Sequence, residues 1–258
     1  MKAVWLTSGA VATVIALVVS TILVWHGFSR GRPPQEVHRR SVPFELSALK
    51  ITTGGGRVDV DINPGPAGVL LINRNTLWTS TDRPKITEEW DGRTLRLDIQ
   101  CEDSGLFDGP YCQAHYALFV PPETDVEGST TVGDLSISDV IGGVRLTTVS
   151  GEVRADRLPG SVRIRSGTGN VSAGSLSGGK ADVETGAGNV KLDFMDPPVE
   201  VRAVARAAGD VTVRVPSGSY DVTAEGRRTE VDVDSAAGAS KKIEARAPLG
   251  TVRVCCGP

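Results

Sequence analysis

The chain has 258 residues, of which 40% are hydrophobic and only 5% are aromatic. Its 31 acidic and 28 basic side chains leave a net charge of −3, so it lacks the basic surplus expected of a nucleic-acid-binding protein. The low aromatic content favours a narrow core of small aliphatic side chains.

Residues 1–28 contain an uncharged stretch, residues 3–25, that is long enough to cross a hydrocarbon core as a helix. Trp5 and Trp25 lie near its two ends, where indole rings favour the membrane interface. A cleaved secretion signal is the alternative, but the stretch is long for a signal core and no small-residue cleavage site follows it. We therefore predict an uncleaved, single-pass transmembrane helix within residues 1–28.

Residues 29–43 have no apolar periodicity and include Pro33 and Pro34, which predicts an extended linker. Four basic residues follow the anchor. Taken alone, the tendency of positive charge to stay inside would place the rest of the chain in the cytoplasm. These residues are Arg30, Arg32, Arg39 and Arg40.

A pair of cysteines indicates the opposite side of the membrane. Cys101 and Cys112 bracket a loop between two strand-like runs, which predicts a disulfide and therefore an oxidising compartment. A metal site would need further ligands, and the only nearby histidine is His115. We predict a cell-membrane protein whose large domain, residues 44–258, is extracytoplasmic, and the arginines count against this orientation.

Residues 44–122 form an irregular part with a predicted disulfide hairpin. Leu49 and Ile51 precede Gly56 in the pattern of the later repeats, and Val58 and Val60 follow it, which predicts the first coil here. Strands are then expected around residues 69–72, 95–99 and 116–120. A cap at this end is expected because an uncovered first coil would expose unpaired backbone groups.

From residue 133 onward a Gly-polar-aliphatic triplet recurs at steps of 18 to 21 residues. A fixed period of this size indicates a stacked repeat architecture. A degenerate copy that begins at Thr229 fills one gap in the series. The regular triplets begin at Gly133, Gly151, Gly169, Gly188, Gly209 and Gly250.

Each repeat predicts two short strands around its glycine. Apolar residues lie seven and five positions before it, as Val144 and Leu146 do, and two and four positions after it, as Val153 and Ala155 do. Period-two alternation is typical of strands with one buried face, and the glycine lies where a turn needs positive φ. One such unit cannot bury its apolar face alone.

We therefore predict an all-β fold in which residues 123–254 form a β-solenoid (β-helix-like) of 18–21-residue, two-strand coils. Leucines seven positions after the glycine, Leu158 and Leu176, are expected to fill a corner of the coil from inside. A β-sandwich would explain the strands but not their constant offsets from each glycine.

The anchor, the Gly-Asp-Val repeats and the Pro-Ser-Gly-Ser-Tyr-Asp-Val stretch at residues 216–222 resemble a known bacterial family. This is the "putative adhesin" family of β-strand-repeat proteins, DUF4097, and the resemblance covers residues 44–254. It implies a surface role and a link to envelope-stress sensing, and it supplies no catalytic residues. The adjacent Cys255 and Cys256 depart from the family pattern.

The sequence contains no catalytic constellation that favours an enzyme. Of the histidines His26, His38 and His115, the last should face outward from its strand. Residues 166–169, Ser-Gly-Thr-Gly, lack the lysine and the strand–helix context of a phosphate loop and indicate a turn. We predict no catalytic residues, no cofactor and no metal site.

The polar residue of each triplet should stack into a surface ladder that could bind cations or sugars along one edge. The alternative is that these side chains cap turns, as Asp and Asn commonly do. The glycine-rich nonapeptide pattern of calcium-binding solenoids is absent. The candidate ladder consists of Asp134, Glu152, Asn170, Asn189, Asp210 and Glu230.

These observations predict a non-catalytic binding, adhesion or envelope-sensing module with an unnamed surface ligand. Two alternatives stay open. One is a solenoid carbohydrate-active enzyme that uses the ladder. The other is a structural scaffold that self-associates through its coil ends or through Cys255 and Cys256.

Overall fold

The structure is a computed structural model that describes residues 14–22, 34–78, 83–100 and 112–256. Residues 14–22 are helical, and the remainder of the predicted anchor lies outside the described residues. Over these described ranges, no helix combines the length and apolar character needed to span a membrane. The chain divides into two compact units, Met1–Pro34 and Gln35–Pro258, and every strand belongs to the second.

Seven strands precede the regular repeats. In chain order they are β1 (Gln35–Pro43), β2 (Ala48–Thr53), β3 (Arg57–Pro64), β4 (Val69–Trp78), β5 (Lys85–Trp90), β6 (Thr94–Gln100) and β7 (Cys112–Val120).

The predicted linker over residues 29–43 is wrong from Gln35 onward, because β1 pairs antiparallel with β4 along its whole length. Val42 is the one residue of this strand that is buried. A strand that is held by backbone pairing at a sheet edge buries almost no side chains, so apolar periodicity could not reveal it.

Five regular coils follow, each with two strands. They are β8 (Asp125–Val132) and β9 (Leu135–Ser138), β10 (Val144–Ser150) and β11 (Val153–Asp156), β12 (Val162–Thr168) and β13 (Val171–Ser177), β14 (Lys180–Ala187) and β15 (Val190–Asp196), and β16 (Glu200–Ala208) and β17 (Val211–Val215).

Each coil pairs in parallel with the coil before it. Val144 lies opposite both Val126 and Val162, one repeat away in each direction, and the second strands stack in the same way. The first strands therefore form one sheet, called sheet I here, and the second strands form sheet II. This confirms the all-β, solenoid-like fold.

The core lies between the two sheets. The four predicted apolar positions are buried in the regular coils, as in Leu146 and Val153, both 0% exposed. Leu158 and Leu176 are also buried, as predicted for the corner. Tight packing of small aliphatic side chains across a narrow interior is what stabilises each coil on its neighbour.

Two further layers precede the regular coils in the stack, and their order differs from the order of the strands in the chain. β2 and β3 pair with β8 and β9, and β6 and β7 pair with β2 and β3 on the far side. Gly56 does not occupy the position of the repeat glycine in this coil, because Val60 rather than Val58 lies opposite Leu135. The corner between β2 and β3 is two residues longer than the corners of the first four regular coils, which moves the repeat position from Gly56 to Val58.

Antiparallel strands close this end. β4 pairs with β7, β1 pairs with β4 and β5 pairs with β6, so the predicted strands around residues 69–72, 95–99 and 116–120 fall within β4, β6 and β7. Phe44 and Tyr116 are fully buried here and are among the largest buried side chains. Bulky rings fill the end that the small coil residues leave open.

The last three strands are β18 (Ser219–Asp232), β19 (Asp234–Ser235) and β20 (Lys242–Cys256). β20 pairs in parallel with β16 and β17, and β18 pairs with the outer side of β20. The chain therefore skips one layer and returns to fill it. The prediction that Thr229 fills the gap between Gly209 and Gly250 is wrong, because β18 is the outermost layer.

Candidate binding groove on sheet I

A groove of about 930 Å³ runs along the stack across the first residues of seven successive strands of sheet I. At roughly 4.8 Å between neighbouring strands, it crosses about 29 Å of sheet. It is lined by Ala48, Leu49, Lys50, Arg93, Thr94, Asp125, Val126, Glu127, Gly143, Val144, Arg145, Ser161, Val162, Arg163, Lys180, Ala181, Asp182, Glu200 and Arg202.

One row of outward side chains in this groove carries a charge in six of its seven layers, and the remaining layer, β6, has Thr94 in this position. The strands' register places these residues directly opposite one another. Cations and anions alternate except at one step, where two arginines are neighbours. In order along the stack the row is Lys50, Glu127, Arg145, Arg163, Asp182 and Arg202.

Four arginines pair with two acids, Asp182 and Glu184, towards one end of the row, and a fifth, Arg145, lies two layers from Asp182. Arg163 Nε lies 3.3 Å from Asp182 Oδ2, and an Nη of Arg202 lies 3.1 Å from Glu184 Oε2. We call this group the arginine patch. It consists of Arg145, Arg163, Arg165, Arg202 and Arg206 with Asp182 and Glu184, and Arg165 and Arg206 donate to Asp182 and Glu184 respectively.

The patch holds Asp182 and Arg202 in their charged forms. Burial acts to raise the pKa of Asp182, but the hydrogen bonds and charges of Arg165 and Arg202 outweigh it and hold that pKa below its ordinary value. The hydrogen bond to Glu184 raises the pKa of Arg202 against the opposing effect of burial. Asp182 is therefore held as an anion at neutral pH, and the arginines of the patch outnumber its two acids.

Arg145 is the cation that this network leaves over. On one side the residue opposite Arg145 is Glu127, whose Oε1 lies 3.0 Å from Lys50 Nζ, and on the other side it is Arg163, which pairs with Asp182. Within the described part of the chain no carboxylate lies within ion-pair distance of Arg145, nor of Arg93 at the end of the groove. Exposed Arg145 thus presents a complete guanidinium group to the groove.

The predicted polar ladder lies away from this groove, at the corner between the sheets. In four of its six members a side-chain oxygen accepts a hydrogen bond from the backbone N–H of the next layer. The pairs are Asp134 with Glu152 at 2.7 Å, Asn170 with Asn189 at 2.9 Å, Asn189 with Asp210 at 2.9 Å and Asp210 with Thr251 at 2.7 Å.

Glu152 instead pairs with Arg154 of its own coil, and Glu230 pairs with Arg253 of the adjacent layer, each at 2.6 Å. One oxygen or nitrogen of each Asp and Asn stays free of these interlayer bonds, so ligand binding by the ladder stays a prediction. What the geometry provides is a column of side-chain caps that tie successive layers together.

Sequence reasoning missed two parts of this corner. Asp59 extends the ladder by one layer, since its Oδ1 accepts from Asp134 N at 2.9 Å, and the aliphatic residues on both sides of it were the available signal. Buried hydroxyls also recur three residues before the glycines, and Thr185 Oγ1 donates to Gly169 O at 2.9 Å. The buried hydroxyls are Thr130, Thr148, Ser166 and Thr185.

The remaining predicted residues are spread over the molecule. His115 faces outward, as expected, with 39% of its side chain exposed. Cys101 and His26 lie outside the described residues, so the disulfide with Cys112 stays a prediction. Cys255 is half-buried and Cys256 exposed, and both are free thiols. In the described ranges no group of three His, Cys, Asp or Glu side chains could hold a metal ion.

Parallel two-strand coils, a closed small-residue core and a charged external groove together define a solenoid-like repeat protein. The chain belongs to the Toastrack DUF4097 family, whose profile matches residues 123–251. The match covers the five regular coils, β18, β19 and most of β20, and it confirms the family resemblance drawn from the repeats.

The chain is similar to several crystal structures, each with a TM-score below 0.5. A "putative cell adhesion protein" from Clostridium sporogenes has 17% identity and a TM-score of 0.38, over 86% of this chain and 99% of that one. A "putative adhesin" from Parabacteroides distasonis has 10% identity and a TM-score of 0.45, over 85% and 97%. A "putative lipid binding protein" from the same species has 11% identity and a TM-score of 0.32, over 84% and 96%.

At these scores the likenesses carry no functional conclusion. No curated protein matches the chain.

Proposed function

We propose that this protein is a non-catalytic binding module that is held at the cell surface and takes an extended ligand into the groove on sheet I. The observation that carries the proposal is Arg145, an exposed cation with no acidic partner in the described chain, set in a groove that crosses seven strands. A charged side chain that the fold leaves uncompensated is available to a ligand at no cost in broken ion pairs.

The chemistry of the groove favours binding over catalysis. A general acid or base needs a pKa near neutrality, whereas the arginines hold the pKa of Asp182 below its ordinary value and keep the carboxylate ionised. Its hydrogen bonds are committed to arginines rather than open to a reacting proton. This argues against the alternative of a carbohydrate-active enzyme at this site.

The surface location is part of the proposal. The uncharged residues 3–25 support a single-pass anchor, and the Cys101 and Cys112 spacing supports an extracytoplasmic domain. Arg30 and Arg32 count against this orientation, because positive charge next to a membrane helix usually stays in the cytoplasm. Envelope sensing would follow if ligand binding in the groove were coupled to the anchor.

Exposed Cys256 provides a direct test of the location. Intact cells that produce the full chain are treated with a membrane-impermeant maleimide, with a Cys255→Ser/Cys256→Ser variant as the control. We expect labelling of the wild-type chain without permeabilisation. Labelling that requires permeabilised cells would place the domain inside and overturn the surface role.

The binding role is tested with the purified full chain in detergent and isolated cell-envelope polymer. We expect co-sedimentation that weakens with Arg145→Glu and stays unchanged with Arg154→Glu, which alters an arginine of sheet II with 57% side-chain exposure. Equal binding by both variants would remove the groove from the proposal. Release of soluble fragments from the polymer would contradict a non-catalytic role.

Self-association is a second candidate function, and the outer edge of β18 favours it. Among the described strands β18 pairs only with β20 and, at its first two residues, with β19. Val231 at this end is 43% exposed. A long strand with one unpaired edge can add a strand from another copy.

A further inference from the structure

We infer that the groove on sheet I binds an extended acidic polysaccharide that carries a carboxylate on every second sugar, with one carboxylate on Arg145 and a hydroxyl of the neighbouring neutral sugar on Glu127. This rests on the proposed function and assigns its ligand class. The inference starts from the order of charges along the row, which neither the family nor the likenesses in fold supply.

The cations of the row are spaced for a polymer with intermittent charge. Lys50 and Arg145 are two layers apart, as are Arg163 and Arg202, which corresponds to about 10 Å. Arg145 and Arg163 are one layer apart, about 5 Å. A step of two layers is roughly the reach of a disaccharide, so a chain with a carboxylate on every second sugar can place successive carboxylates on Lys50 and Arg145 and its neutral sugar beside Glu127.

The acids of the row exclude a uniformly charged polyanion. Glu127 and Asp182 lie between the cations, and each takes part in an ion pair. Inorganic polyphosphate would bring negative charge against these carboxylates at every layer, and like charges there are repulsive. A polysaccharide instead offers hydroxyl donors between its carboxylates, and ionised acids are acceptors only.

Two other polymers fit the groove poorly. Among the described residues that line it, none is aromatic, so nucleic-acid bases would find no stacking surface. The groove crosses the face of sheet I, where the backbone groups of each strand are already paired with both neighbours. A peptide cannot therefore add to it as a strand, since strand addition needs an open edge.

Arg145 is the residue that should matter most. Its guanidinium has no ion pair in the described chain that a ligand would have to break. The planar group can hold a carboxylate through two hydrogen bonds. Arg163 and Arg202 already share Asp182, so a ligand carboxylate would compete with that acid for them. The contacts are exposed, which makes the affinity sensitive to salt.

The test is calorimetric titration of the purified full chain in detergent with a hyaluronan oligosaccharide of about eight sugars, which carries one carboxylate per disaccharide, at low and high salt. We expect binding that weakens at least several-fold at high salt. Arg145→Gln should weaken it about tenfold, as loss of a charge-assisted pair predicts. Arg145→Lys keeps the charge without the fork and should fall between, and Arg154→Gln on sheet II should bind like the wild type.

Matched probes separate the outcomes. A methyl-esterified, neutral hyaluronan oligosaccharide should not bind, and inorganic polyphosphate should bind more weakly than the acid sugar. Tighter binding of polyphosphate, or equal binding of acid and ester, would overturn the inference. So would absence of hyaluronan binding while the envelope polymer still co-sediments, a result that leaves the proposed function intact. Failure of the envelope polymer itself to bind would refute both.

Discussion

At the scale of single residues, the repeated glycine is fixed by the layer beneath it. The glycines from Gly133 to Gly209 have φ between 130° and 156°, which other residues rarely adopt. A Cβ on Gly169 would also lie 2.0 Å from the carbonyl oxygen of Gly151, and each glycine of the column meets its neighbour in the same way. The sequence predicted the turn, but the stronger constraint is this contact between layers.

Gly169→Ala should therefore destabilise the protein by about 2–4 kcal/mol, because it combines backbone strain with a clash against a carbonyl. Urea unfolding of both proteins measures the difference. Gly55→Ala is the matched control, since a Cβ there meets nothing within 4 Å and the change should be within about 0.5 kcal/mol. A Gly169→Ala protein as stable as the control would contradict a rigid glycine column.

At the scale of strands, pairing brings together residues that are far apart in the chain. β7 lies beside β3 and β3 beside β9, so Asp61 receives hydrogen bonds from His115 Nε2 at 3.0 Å and from Ser136. His115 alone gave no sign of this partner in the sequence. Its outward orientation followed from alternation, but the neighbouring strand was decided by the out-of-order stacking of β6 and β7.

This pair predicts a pH-dependent contribution to stability. The hydrogen bond to Asp61 holds the pKa of His115 above its ordinary value, and the hydrogen bond from His115 holds the pKa of Asp61 below its own. The histidine contribution is complete below about pH 6.5 and is lost as pH rises through the raised pKa. The aspartate contribution is present above about pH 4 and is lost as pH falls through the lowered pKa.

The measurement compares wild type with His115→Gln by urea unfolding at several pH values. The stability advantage of the wild type should be larger at pH 5.5 than at pH 8.5, and an NMR titration should give a raised pKa for His115. An advantage that is constant from pH 5.5 to 8.5 would show that the ion pair does not form.

At the scale of the whole stack, the two ends are built differently. Antiparallel β1, β4 and β5 continue the N-terminal end, whereas the C-terminal end finishes on the parallel edge of β18. Tyr220 is buried there and its hydroxyl donates to Pro216 O at 2.8 Å, so part of the end is plugged. The rest of the edge supports the proposed self-association.

Sedimentation velocity of the full chain in detergent and reducing buffer should show concentration-dependent dimers. Asp221 N–H donates to Lys241 O, so by alternation the N–H of Ala224 points away from β20. Ala224→Pro should therefore abolish the dimer while keeping the fold. A monomer at all concentrations would end the edge hypothesis, and dimers only in oxidising buffer would assign association to Cys255 and Cys256.

The sequence by itself determined the strand content, the two-strand coil and the buried positions, because each depends on side chains within one repeat. Leu146, Val153 and Leu158 are buried where the period placed them. The longer corner before Val60 and the reversed order of β18 and β20 escaped the sequence, because layer order depends on which edges meet in space. The groove was hidden for the same reason.

Nothing in the local sequence shows that Lys50, Arg145 and Arg202 belong to one row. Only register between layers lines them up, and only the pairing of Glu127 and Asp182 with other cations leaves Arg145 uncompensated. Local periodicity thus specified the coil and its core. The tertiary structure decided the order of the layers and the charges that meet across them, since those are set by contacts between residues distant in the chain.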